Sequence, residues 1–142
     1  MNIEEITQYS NDILDALKRF LPQVASSTLM LSEADLRSII LSDSSHVLMA
    51  EEKGEYIGSL TLVLFATPTR TKALIEDLVV DEEARGQGVG RLLLEHAIGL
   101  ARASGAKTID LTSRPARTAA NALYQKLGFS LRETNVYRYE CE

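Results

Sequence analysis

Apolar residues recur at helical spacing in four stretches of the chain and alternate or run together in others. The order of these stretches outlines a fold. Ile3 to Thr7 is a short candidate strand. Asn11 or Asp12 then caps a helix to Leu21, striped by Ile13, Leu14, Leu17, Phe20 and Leu21 and stopped by Pro22. Ser32, with Asp35 three residues on, approaches a capping box and opens a second helix through Leu36, Ile39 and Ile40. His46 to Ala50 and Tyr56 to Phe65 read as strands around a hairpin turn, Glu52-Lys53-Gly54-Glu55. Lys72 to Val80 is the third strand of this meander.

The pattern then changes to helix and strand in alternation. A long helix runs from Gly88 to Ala103, striped by Leu93, Ala97, Leu100 and Ala101 and ended by Gly105. Thr108 to Thr112 is a strand, Thr118 to Leu127 a helix closed by Gly128, and Asn135 to Glu140 a final strand. An antiparallel meander followed by strand-helix-strand-helix-strand predicts an α+β fold with a mixed sheet. No linker, repeat or low-complexity stretch interrupts it. At 142 residues the chain is long enough for one core and too short for two, so a single domain over residues 1–142 is expected.

Composition adds exclusions. Hydrophobic residues are 45% and charged residues 25%, as in ordinary globular domains, which argues against a disordered chain or a rod. Lys and Arg number 15 against 20 Asp and Glu, a net charge of −5, which argues against a nucleic-acid partner and weakly favours cationic ligands. The lone cysteine, Cys141, has no internal partner and points to a reducing compartment, the cytoplasm. The acidic start Met1-Asn2-Ile3-Glu4-Glu5 is unlike a secretory signal. The most apolar run, Leu60 to Ala66, is far short of the roughly 18 residues of a membrane helix, so no membrane association is expected.

The chemistry is expected where the third strand meets the long helix. Ile75-Glu76-Asp77-Leu78-Val79-Val80 is followed by Asp81-Glu82-Glu83-Ala84 and then Arg85-Gly86-Gln87-Gly88-Val89-Gly90-Arg91. Glycines at a helix start free backbone N–H groups that lack internal partners, at the positive end of the helix dipole; such a turn suits phosphate. Arg85 and Arg91 add charge beside it. The dinucleotide fingerprint does not fit, because its third glycine falls on Arg91 and three acids separate strand from loop. No Gly-Lys-Ser/Thr triplet of a nucleoside-triphosphate loop occurs in the chain. A glycine-rich helix start that binds nothing stays open on these residues alone.

Arg85-x-x-Gly88-x-Gly90 resembles the R/Q-x-x-G-x-G/A signature of the GNAT superfamily of N-acetyltransferases. It follows a strand and heads a long helix, as in that family. A second block, Asn121-Ala122-Leu123-Tyr124-Gln125-Lys126-Leu127-Gly128-Phe129, resembles the family's L-Y-x-K-x-G-F segment, with Asn121 two positions before Leu123, one strand further on. The resemblance spans roughly residues 45–140. It implies a mixed, mostly antiparallel central sheet flanked by helices, and acetyl-CoA as co-substrate. It implies cofactor contacts at Leu78, Val79, Val80, Arg85, Gly86, Gln87, Gly88, Val89, Gly90 and Asn121. A homodimer is also implied, with Asn135 to Glu140 as the candidate contact.

The implied chemistry is direct attack of an amine on the thioester. Tyr124 is the candidate general acid, since a phenol of pKa near 10 can protonate a thiolate of pKa about 8.5; packing of its ring is the alternative. Glu76 is the candidate base or amine binder, with Asp77 second. Strand alternation puts Leu74, Glu76, Leu78 and Val80 on one face and Ile75, Asp77 and Val79 on the other. An ion-paired carboxylate, or a water chain in place of a base, stays open. The acceptor is an amine, a small cationic one favoured and a protein amine also compatible. A non-catalytic acyl-CoA-binding module and transfer of longer acyl groups are the rival functions. Arg114 and Arg117, after a strand end, are candidates for CoA phosphate or an anionic acceptor group. His46 and His96 lack partners at metal spacing, so no metal is expected.

Overall fold

The three strands between Ser45 and Val80 form the centre of a sheet. In the computed structural model, residues 1–24 and 30–142 are described, and they divide into two compact units, Met1–Leu111 and Thr112–Glu142. The first unit holds β1 (Asn2–Glu5), α1 (Asn11–Phe20), α2 (Glu33–Leu41), β2 (Ser45–Glu52), β3 (Glu55–Ala66), β4 (Thr71–Val80), α3 (Val89–Ala103) and β5 (Thr108–Asp110). The strands lie in the order β1-β2-β3-β4-β5. All neighbours are antiparallel except β4 and β5, which pair parallel because α3 carries the chain between them. The sheet is thus mixed and mostly antiparallel, as expected. Lys53 and Gly54 both take positive φ, 53° and 81°, the type I′ geometry that suits a two-residue hairpin.

Helix ends follow local chemistry, with one correction. Ser10, and neither Asn11 nor Asp12, caps α1: its hydroxyl accepts from the Ile13 amide at 3.2 Å. The Asn11 side-chain Oδ1 instead accepts from the Tyr9 hydroxyl at 2.8 Å, and Asp12 already sits within the first turn. After Phe20 the chain tightens into a 3-10 turn, Leu21–Gln23, whose start tolerates Pro22 because no N–H is needed there. Before α2 the capping box is complete: Ser32 Oγ accepts from the Asp35 amide and Asp35 Oδ2 from the Ser32 amide, each at 3.1 Å. These bonds hold the Asp35 carboxyl below its usual range.

Strand register assigns the two faces of the sheet. Val47, Met49 and Val79 join Ile13, Leu14, Leu17, Phe20 and Leu36 in one buried cluster, so this face is covered by α1 and α2. Leu48 lies opposite Leu60, and Leu62 opposite Ile75, on the other face. There α3 packs with Val89, Leu93, Leu94, Ala97 and Ala101, all buried. Gly58 marks the tightest approach. A Cβ there would lie 2.9 Å from the Val79 carbonyl oxygen, 3.2 Å from Val89 Cγ1 and 3.3 Å from Leu93 Cδ1. Gly58→Ala is therefore expected to destabilise the fold by about 1–3 kcal/mol, the usual cost of overpacking. A lower urea midpoint at unchanged slope would show it; an unchanged midpoint would mean the sheet and α3 yield freely.

The second unit contains α4 (Thr118–Lys126). Tyr124 is its buried residue and meets the Phe129 ring edge-on, centroids 6.1 Å apart. The final strand expected over Asn135 to Glu140 is not formed. Residues 129–142 contain no helix, strand, turn or bend, and every residue from 130 on is exposed. The sequence there has strand character, but a strand exists only when its backbone is paired, and among the described residues this segment pairs with no strand.

Candidate functional site

β4 departs from regular pleating where the candidate acids lie. Glu76 pairs with Thr61, and Val79 with Ser59, so Asp77 and Leu78 both oppose Leu60 on β3. This is a β-bulge, and Asp77 takes its positive φ of 52°, a conformation that Asp tolerates better than most residues. The bulge overturns simple alternation. Glu76 and Val79 share the α1/α2 face, because Thr61 and Ser59 oppose Val47 and Met49, whereas Ile75 and Val80 lie on the α3 face. Glu76 and Val80, expected on one face, are on opposite faces. Glu76 and Asp77 are both exposed; Leu78 and Val80 are half-buried and Val79 is buried.

Beyond Val80 the three acids form a 3-10 turn, Glu82–Ala84, and the glycine loop follows. Gly86 and Gly88 have φ of 78° and 83°, and each has open space where a Cβ would stand, so backbone shape rather than crowding calls for glycine. Gly90 is already helical and has no such requirement. Among the described residues, none of the backbone N–H groups from Gly86 to Arg91 finds an acceptor. Successive free donors at the positive end of a fifteen-residue helix make a cradle for an anion, which fits the pyrophosphate of CoA.

The arginines beside the cradle are already engaged. Arg85 Nε donates to the Val80 carbonyl at 3.2 Å, and its Nη2 donates to Gln23 Oε1 at 3.1 Å. Arg19 reinforces the same junction, 3.6 Å from the Asp81 carboxylate and donating to the Tyr56 carbonyl at 3.1 Å. The side chain of Arg85 thus ties the loop to the end of β4 and to the turn after α1. Gln23 and Arg19 were not legible as site residues, since nothing in the sequence links them to a loop some sixty positions away. Arg91 pairs with Glu95 at 2.6 Å on the outer face of α3.

In the second unit, Asn121 Nδ2 donates to the Arg114 carbonyl at 3.0 Å and pins the loop before α4. Arg114 and Arg117 are exposed in that loop. Burial pushes the Tyr124 hydroxyl above its usual pKa, partly opposed by the positive charge of Arg117. Its proton is therefore held throughout the neutral range, as a proton donor requires. His46 Nδ1 meets Glu5 Oε2 at 2.8 Å, a link between β2 and β1. Cys141 is exposed. Among the described residues, no cluster of three or more His, Cys, Asp or Glu could hold a metal, and no helix is long and apolar enough to cross a membrane.

Comparison with known proteins agrees with this geometry. The acetyltransferase (GNAT) family model matches residues 10–129. The N-acetyltransferase YhfO of Bacillus subtilis, itself uncharacterized, is 33% identical over 106 residues, covering 73% of this chain and 71% of the relative. The ribosomal protein bS18 alanine N-acetyltransferase of Escherichia coli is 41% identical over 59 residues, covering 42% of this chain and 40% of the relative. Among solved structures, an aminoglycoside acetyltransferase from an uncultured soil metagenomic sample superposes with a TM-score of 0.86 at 19% identity, covering 99% of this chain and 95% of that one; at that identity it shows the fold. Proteins of this family are acyltransferases that use acetyl-CoA as co-substrate. The chain belongs to the GNAT acetyltransferase family.

Proposed function

We propose that this protein transfers the acetyl group of acetyl-CoA directly to an amine, and that the row of unpaired N–H groups from Gly86 to Gly90 is what holds the co-substrate. That row is the observation that carries the reading. Leu78, Val79 and Val80 supply the strand end beside which the pantetheine arm lies, Arg85 sets the loop, and Asn121 holds the loop before α4. Glu76, exposed beside the bulge, takes a proton from the acceptor amine, with Asp77 the second candidate. The neutral amine nitrogen attacks the thioester carbonyl; a C–N bond forms, the C–S bond breaks, and the nitrogen, positively charged after attack, loses its second proton to water to leave the neutral amide. Tyr124 gives its proton to the departing thiolate sulfur and regains one from solvent.

The acceptor is a small cationic amine in this reading, from the net charge of −5 and the exposed carboxylates of Glu76 and Asp77. The names of the relative and the structural neighbour point to different acceptors, an alanine of ribosomal protein bS18 and an aminoglycoside, so the acceptor class rests on those charges.

Melting curves with acetyl-CoA, CoA, NAD and ATP in turn test the co-substrate. At 100 times its dissociation constant a ligand adds about 2.7 kcal/mol, which raises the melting temperature of a domain of this size by several degrees. Stabilisation by acetyl-CoA and CoA alone is expected. No shift with either at millimolar concentration would remove the acetyltransferase reading.

A further inference from the structure

The loop that carries the cradle is clamped from the end of α1. It runs from Asp81, just after β4, to Gly88, just before α3. At its start the Asp81 amide donates to the Ile57 carbonyl at 2.9 Å, and the Asp81 carboxylate stands 3.6 Å from Arg19 Nε. The loop is caught again at Arg85, whose Nη2 donates to Gln23 Oε1 at 3.1 Å and whose Nε donates to the Val80 carbonyl at 3.2 Å. Arg19 and Gln23 lie one helical turn apart, a spacing that brings side chains to the same side. Arg19 is itself set against the body of the protein. Its guanidinium lies 4.9 Å from the centroid of the fully buried Phe20 ring and donates to the Tyr56 carbonyl at 3.1 Å.

Gln23 is the more specific half of the clamp, because both ends of its amide are used. Oε1 accepts from Arg85, and Nε2 donates to the Arg19 carbonyl in the last turn of α1, at 3.4 Å. The second bond turns the amide so that its oxygen faces the arginine. Beyond Arg85 little holds the loop. Gly86 and Gly88 meet nothing where a side chain would stand, and the backbone N–H groups from Gly86 to Arg91 have no acceptor among the described residues. Gln87 Nε2 reaches only the Glu83 carbonyl, 3.4 Å away within the same loop. The next anchored residue is Val89, buried at the head of α3. Gly86, Gln87 and Gly88 alone span the gap, so the placement of Arg85 sets where their N–H groups point.

We infer that Gln23 is a positioning residue for the co-substrate: acting through Arg85, it holds the glycine loop in the shape that presents its N–H groups to an anion. The inference rests on the reading that this cradle holds CoA. A loop shaped beforehand needs no ordering when the pyrophosphate arrives. A loose loop must be ordered by the ligand, and the cost of that ordering is subtracted from affinity. Two of the Arg85 nitrogens face the protein, so this arginine serves the cradle through the backbone it fixes. The affinity for CoA is thereby set in part from a turn that lies some sixty positions before the glycine loop.

The test is calorimetric titration of CoA into the wild type, Gln23→Leu, Gln23→Glu, Arg85→Met and the double variant Gln23→Leu/Arg85→Met. Leucine keeps much of the size of glutamine and accepts no hydrogen bond, whereas glutamate offers Arg85 an oxygen in the same place. We expect Gln23→Leu and Arg85→Met each to weaken CoA about three- to tenfold, the range of an ordinary hydrogen bond, and Gln23→Glu to stay within about twofold of the wild type. The double variant should bind no more weakly than Arg85→Met, because the glutamine acts only through the arginine. Melting temperatures of the ligand-free proteins should nearly coincide, since the Gln23–Arg85 bond is exposed and lies outside the core. Unchanged affinity in Gln23→Leu overturns the inference. So does Gln23→Glu binding as weakly as Gln23→Leu, or a double variant weaker than Arg85→Met by the full Gln23→Leu factor. Each of these leaves the co-substrate reading standing, whereas a wild type that binds no CoA removes that reading and the inference with it.

Discussion

Tyr124→Phe is expected to lower kcat for acetyl transfer by about 10²–10⁴-fold, the usual contribution of a well-placed general acid, while binding of acetyl-CoA changes little. In free energy this is about 3–5 kcal/mol of barrier. Phenylalanine keeps the ring that α4 buries and its edge contact with Phe129, so the loss reports the hydroxyl rather than packing. The pH profile supplies a second readout. Burial raises the Tyr124 pKa, so the protonated, active form persists up to the ordinary phenol value near 10 and is lost only as pH climbs through the higher folded value. The same shift stabilises the fold below the unfolded pKa, and that gain is lost over the same alkaline window. Steady-state rates from pH 7 upward would show a limb in the wild type that the variant lacks. A variant within threefold of the wild-type rate would assign Tyr124 to packing alone.

Gly88→Val is expected to weaken acetyl-CoA at least a hundredfold while the protein stays folded. At φ 83° a β-branched residue is strained, and left-handed backbone costs an L-residue about 1–2 kcal/mol before branching is considered. Nothing stands within 4 Å of the missing Cβ, so the strain is backbone strain and the loop can relieve it by rotating. Rotation turns N–H groups away from the anion. Each hydrogen bond to a charged group is worth about 1.5–3 kcal/mol, so losing two removes two or more decades of affinity. Isothermal titration with CoA measures it directly, and circular dichroism checks the fold. Unchanged affinity would mean the cradle does not hold the co-substrate. Gly99→Ala is the informative control, because Gly99 lies within α3 outside the cradle, has nothing within 4 Å of the position of a Cβ, and should bind as before.

Local rules were enough for most elements because the forces that make them act over a few residues. The Ser32–Asp35 box, the Lys53–Gly54 turn and the stop at Gly105 are each set by neighbours in sequence, and each stands where it was read. One exception is itself local: Ser10 rather than Asn11 caps α1, and the Asn11 side chain accepts from Tyr9 two residues earlier. The other is set across the sheet. β4 reads as an uninterrupted strand, yet β3 sets its register across the sheet and forces the bulge that moves Glu76 and Val80 to opposite faces.

By itself, the sequence determined the four helices, the first five strands and the mixed sheet, because periodicity, capping and backbone freedom are short-range properties, and its two motifs carried the resemblance to the family. Tertiary structure alone decided the face on which Glu76 lies, the tie of Arg85 to Gln23, and the fate of Asn135 to Glu140. Those three depend on partners beyond the local sequence: a register across two strands, a glutamine after the first helix, and a pairing strand, which residues 129–142 lack among the described residues.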